Sequence, residues 1–158
     1  MERRIDLDAI AKLNHDYARS IDDDALERWP SFFAEACLYR ITTADNHARG
    51  FEAGLIYADT RAMLEDRVKS LRIANIYERH RYRHILGMPA LGEVSGSGTC
   101  CETSFVVIRI MRDGTLTVFA TGKYLDRVTV ADSERLVFSE RIVVCDNANI
   151  DAMLALPL

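Results

Sequence analysis

The last third of the sequence leaves the chain little freedom in how it folds. Thr99–Met111 is rich in Val, Ile and Thr, Arg112-Asp-Gly-Thr115 carries an Asp-Gly hairpin signal, and Leu116–Val130 answers as a second long strand. Ala131-Asp-Ser133 turns the chain again into a third strand, Glu134–Asp146. A period of two puts its Leu136, Phe138, Ile142 and Val144 on one face and Arg135, Ser139 and Arg141 on the other. Strands joined by turns this short run antiparallel. The apolar face they create has to be covered by something upstream.

Upstream, the pattern is helical. Ile10, Leu13, Tyr17 and Ile21 recur at three and four, so Asp6–Ile21 reads as an amphipathic helix, with Asp6 or Asp8 suited to its positive end. Asp22-Asp-Asp24 reads as a solvated helix end, because calcium loops space their ligands alternately and need a glycine at the turn. Asp24 and Glu27 have capping-box spacing for a short second helix. Trp29, Phe32 and Phe33 form the densest aromatic cluster and plug the core where that helix meets a strand, Leu38–Thr43. Ala44–Gly50 is polar and reads as a loop. Tyr57–Ile76 is read as one long helix with a Leu64, Val68, Leu71 stripe and a Glu65–Lys69 pair outside. Gly87–Gly98 reads as a loop or an irregular strand turn; the apolar tail Ile150–Leu158 is expected to dock, and its Met153–Leu158 part to share in a subunit contact. Helices segregated from an antiparallel meander indicate α+β, with a curved sheet wrapped around a long helix as a cone.

The chain's 158 residues fit one domain spanning 1–158. A net charge of −4 speaks against a nucleic-acid partner, which would call for a basic face. The charged start has no apolar h-region and no run approaches the ~20 apolar residues of a membrane span, so the expected location is cytoplasmic. Cys37, Cys100, Cys101 and Cys145 form no CxxC pair and read as buried thiols.

The least ordinary stretch is Ile76-Tyr-Glu-Arg-His-Arg-Tyr-Arg-His-Ile-Leu86. As a strand it puts His80, Tyr82 and His84 on one face and Arg79, Arg81, Arg83 and Ile85 on the other. So basic a strand needs neighbours to neutralise it. Two function classes follow. In one, the cone is a stand-alone dehydratase, isomerase or cyclase using His80, His84, Tyr82 and Asp45 as acid/base groups. In the other, it is a filled assembly module. There Arg79, Arg81, Arg83 and Arg141, with His80 and His84, form polar interfaces, since planar guanidiniums suit bidentate pairing with carboxylates of another chain. Pairing inside the sheet with Glu78, Glu102 or Glu140 is the alternative for the arginines.

Trp29-Pro-Ser-Phe-Phe through Tyr39-Arg-Ile, Asn75 through Gly87, Gly122-Lys-Tyr-Leu-Asp126 and Glu140-Arg-Ile-Val-Val-Cys-Asp146 together resemble the small (beta) subunit of aromatic-ring-hydroxylating dioxygenases. The resemblance covers essentially the whole chain. Within the family it is greatest to the terephthalate-type branch, down to the Ala-Leu-Pro-Leu ending. It implies an NTF2-like cone and an α3β3 assembly with beta subunits as a trimeric base. It also implies alpha subunits carrying a Rieske [2Fe–2S] cluster and a mononuclear Fe(II), with NADH entering through a separate reductase.

The ligand pattern for that iron is not in this sequence. A Rieske centre uses paired Cys and His ligands, and none of the four cysteines has a histidine within the next three residues. In a strand, His80 and His84 lie about 13 Å apart, at ~3.3 Å per residue. The expectation is a scaffold subunit with no catalytic, cofactor-binding or metal-binding residues of its own.

Overall fold

A computed structural model describes residues 5–52, 54–74, 79–148 and 156–158. It opens with helix α1 (Leu7–Asp22), a 3-10 helix (Leu26–Phe32), strand β1 (Phe33–Thr43), a short helix α2 (Ala44–Ala48) and β2 (Ile56–Thr60). Helix α3 (Arg61–Ala74) follows, then β3 (His80–Leu86), β4 (Ala90–Ser95), β5 (Gly98–Met111), β6 (Leu116–Val130) and β7 (Leu136–Cys145). The strands form one sheet in the order β2-β1-β7-β6-β5-β3, with β4 also beside β5. Every pairing is antiparallel except β1 with β7, which is parallel.

Asp6 caps α1 by accepting the Ala9 backbone N–H at 2.9 Å, and the stripe Ile10, Leu13, Tyr17 and Ile21 is buried along its length. That stripe lies in the hollow of the sheet. Tyr17 meets Phe33, Tyr124 and Phe138 edge-on from β1, β6 and β7. Two β-bulges bend the long strands around it: Phe119 is the extra residue in β6 opposite Val107–Ile108, and Ser139 is the extra residue in β7 opposite Arg127–Val128. Trp29, Phe32 and Phe33 fill the end of the core, as their clustering implies, at 0%, 7% and 0% exposure.

At Gly122 the β7 backbone comes so close that a Cβ would sit 2.0 Å from the Val144 carbonyl oxygen. Backbone cannot yield as a side chain can. Gly122→Ala is therefore expected to cost ~1–3 kcal/mol in urea unfolding, the usual range for overpacking.

Several sequence expectations are corrected. Tyr57–Ile76 is not one helix: Ile56 and Ala58 are buried and Tyr57 is half exposed, the alternation of an edge strand, and the helix begins at Arg61. Residues 75–78 lie outside the described residues. Ala44–Ala48 is a single helical turn capped by Thr43, too short to show an apolar period. Ala90–Ser95 is a strand, fully exposed and so without a burial pattern to betray it. Asp24 and Glu27 do not form a capping box; Asp24 sits at φ 55° and both carboxylates hold Arg72 of α3, at 2.8 and 2.7 Å.

Candidate functional site

The basic strand is β3, an edge strand, and its alternation is as expected. Tyr82 and His84 are buried, His80 is half-buried, and Arg79, Arg81, Arg83 and Ile85 face solvent. Tyr82 stacks on the bulged Phe119 at 5.4 Å and 22°, and the His80 ring lies 5.2 Å from it, tilted by 44°. Among the described residues no ion pair joins Arg79, Arg81 or Arg83 to a carboxylate, and Glu102 pairs with Lys123 instead, at 3.5 Å. Cross-strand register sets Arg81 beside Ile110 and Leu116, and Arg83 beside Ile108 and Val118. Leu116 and Val118 are each 65% exposed. The result is an aliphatic sheet face bordered by arginines.

His84 is tied to its own chain, which corrects its reading as an interface group. Its Nδ1 lies 2.6 Å from Asp22 Oδ1, and its backbone N–H donates to Asp22 Oδ2 at 2.9 Å. The two side chains are 0% and 5% exposed, so Asp22 is not the solvated helix end its sequence suggests. It satisfies a main-chain donor on the open side of an edge strand and holds α1 to β3. Asp22→Ala leaves both donors without an acceptor. It is expected to destabilise the chain by ~1–3 kcal/mol or more, measured by urea unfolding.

Arg141 was expected at an interface; it lies in the core instead. The extra residue Ser139 reverses the alternation of β7, so Phe138, Arg141, Val143 and Cys145 all point inward. Arg141 makes a bidentate pair with Asp126, at 2.8 Å from Nε and 2.7 Å from Nη2, and both side chains are 0% exposed. Nη2 also donates to Asn14, whose amide donates to Thr103 at 3.1 Å. The guanidinium lies 3.9 Å from the Tyr124 and Phe138 ring centres and 4.3 Å from that of Tyr17. Burial pushes the Asp126 carboxyl above the usual carboxylate range although Arg141 pulls it down, and Asp126 keeps Arg141 firmly charged.

The acid/base set of the rival reading is not brought together. Asp45 sits on α2, packed on β1 and β7, while β5, β6 and β7 separate β1 from β3. The groove of about 390 Å³ beside His84 is lined by Asn14, His15, Asp22, Arg83 and Met88 among others, without His80, Tyr82 or Asp45. Burial pushes the Cys101 and Cys145 thiols up to about 12 and Cys37 up to about 11, so all three stay protonated at neutral pH. Among the described residues no group of three His, Cys, Asp or Glu side chains could hold a metal ion. Residues 153–155 of the tail lie outside the described residues, but Leu156, Pro157 and Leu158 are buried in this chain's own core.

Asp126, Asn14 and Asp22 carry the polar interior, a role read for none of them from the sequence. Two had a signal: Asp126 alternates with Tyr124 and Val128 along β6, and Asn14 lies four residues after Ile10 in the apolar stripe of α1.

The fold and interior define an NTF2-like α+β cone whose centre is packed with side chains. Comparison with known proteins gives the family. A sequence model of the ring hydroxylating beta subunit matches residues 16–152. The beta 1 subunit of the terminal oxygenase component of terephthalate 1,2-dioxygenase from Comamonas sp. is 50% identical over 94% of this chain and 96% of its own length. The anthranilate 1,2-dioxygenase small subunit of Burkholderia cepacia is 36% identical over 94% and 92%. A crystal structure from Novosphingobium aromaticivorans, assigned as the beta subunit of an aromatic-ring-hydroxylating dioxygenase, superposes with a TM-score of 0.87 at 34% identity, covering 96% of each chain. The chain belongs to the ring-hydroxylating beta subunit family. It is thus the small subunit of an aromatic-ring-hydroxylating dioxygenase rather than a stand-alone cone enzyme.

Proposed function

We propose that this chain, folded as one domain over residues 1–158, is the non-catalytic scaffold of a cytoplasmic terephthalate-type oxygenase. Three copies form a base for three alpha subunits as α3β3. The observation that carries this reading is the aliphatic face of β3, β5 and β6 bordered by Arg79, Arg81 and Arg83, which have no carboxylate partner among the described residues. Exposed arginines beside branched apolar side chains suit a subunit contact, where each guanidinium can take a carboxylate in a fork. His80, half-buried at the start of the same strand, lies on its opposite face against Tyr82.

The terephthalate branch is supported by the 50% identity over nearly the whole of both chains. The Rieske cluster and mononuclear Fe(II) implied by the family do not fit the residues here. The described thiols are dispersed over β1, β5 and β7, and among the described residues no three ligands converge. Those centres are assigned to the alpha subunit, with electrons from NADH by way of a reductase. This chain's residues orient and hold the subunits.

The test is co-expression with the neighbouring alpha subunit, followed by native mass measurement and metal analysis of the separated chains. A complex of equal alpha and beta content with iron and acid-labile sulfide confined to alpha is expected. A beta chain that purifies alone with stoichiometric iron contradicts the assignment.

A further inference from the structure

Leu156 and Leu158 are 5% and 0% exposed, yet part of what grips them is polar. The Leu158 backbone oxygen accepts from two phenols, Tyr17 at 2.7 Å and Tyr39 at 2.9 Å, and the Leu158 N–H donates to Tyr39 at 3.2 Å. An apolar socket would be enough to bury a leucine side chain. Two hydroxyls converging on one oxygen are more than that burial needs, and they form the arrangement that recognises an oxyanion. Arg141, its charge balanced by Asp126, lies against the Tyr17 ring, and the Trp29 indole N–H is fully buried next to the Tyr17 side chain without a well-formed hydrogen bond among the described residues. Burial raises both phenols above their ordinary range, so they remain donors at neutral pH.

We propose that this chamber is a carboxylate-binding site which the chain keeps closed with its own Leu156–Leu158. Its exchangeable ligand is a compact monocarboxylate bearing a branched aliphatic or aryl group. The ligand carboxylate takes the place of the Leu158 oxygen between Tyr17 and Tyr39, with the Trp29 N–H as a third donor, and its apolar group fills the leucine socket. The inference stands on these contacts and is independent of the oxygenase assignment.

Trp29 is the chain's single tryptophan, so its fluorescence reports on the chamber. The full chain and a variant lacking Leu156–Leu158 are titrated with 4-methylpentanoate, an aliphatic acid shaped like the leucine it replaces. The truncated chain is expected to show a saturable response and the full chain to bind roughly tenfold or more weakly, a factor equivalent to about 1.4 kcal/mol. Tyr17→Phe with Tyr39→Phe in the truncated chain should abolish the response, and a peptide with the sequence of residues 153–158 should compete. A folded truncated chain with no saturable response, or one whose response survives both phenylalanines, overturns the proposal. Should the truncated chain be unfolded, circular dichroism with saturating acid decides. Refolding by the acid supports the site; refolding by the peptide alone, or by neither, overturns it.

Discussion

Arg141→Met is expected to destabilise the folded chain by ~3–5 kcal/mol, because it leaves the Asp126 carboxylate buried without its counter-charge. Both side chains are fully buried, so water cannot take over the lost contacts. The loss also removes the cation from between Tyr17, Tyr124 and Phe138 and deprives Asn14 of a donor. Asp126→Leu alone should be comparably harmful, stranding the guanidinium instead. Combining the two should recover much of the loss, since apolar residues of similar volume satisfy a dry core as well as an ion pair does.

The sign of the pH dependence follows from burial. A buried carboxyl whose pKa is raised on folding takes up a proton more readily in the folded state, so its contribution improves as pH falls. In Arg141→Met the lowering influence of the guanidinium is gone and only burial remains. The deficit should therefore shrink as the pH is lowered towards the raised carboxyl pKa. Urea titrations at pH 7.5 and at pH 5 check this; a deficit that grows on acidification would falsify the buried-charge explanation.

The second large effect concerns assembly. On the proposed interface, truncating Arg81 or Arg83 to alanine should strand a carboxylate in a desolvated subunit contact, which typically costs ~2–5 kcal/mol of binding. Lysine should restore only part, because it lacks the planar fork. The chain should still fold, since both side chains are exposed and neither pairs with a carboxylate among the described residues. Raising subunit concentration should restore the complex and its activity together. Analytical ultracentrifugation of the reconstituted oxygenase reads this directly, and a complex of wild-type affinity carrying both alanines would remove these arginines from the interface.

Much of the fold was legible because its signals are periodic. The buried stripe of α1, the long strands β5 to β7 and the two faces of β3 each repeat over enough residues for one pattern to win. Several of the failures share a cause: each depends on a single residue or a single turn. Ser139 inserts one position into β7 and sends Arg141 to the core, and no local composition announces a bulge. Asp22 belongs to a run of three aspartates that looks solvated, and only the return of β3, 62 residues later, gives it a partner. The arginines of β3 were legible as a basic, solvent-facing row, but what they pair with was not, because the sequence of one chain shows only an imbalance of charge.

The most direct test of the scaffold role is turnover per assembled particle. The chain carrying His80→Ala, Tyr82→Phe or His84→Ala is reconstituted with the alpha subunit, and specific activity is measured together with complex mass and iron content. A scaffold predicts that activity per intact particle is unchanged, with any loss traced to fewer particles. Turnover reduced by orders of magnitude in particles of normal mass and normal iron content would place part of the chemistry in this chain and contradict that role.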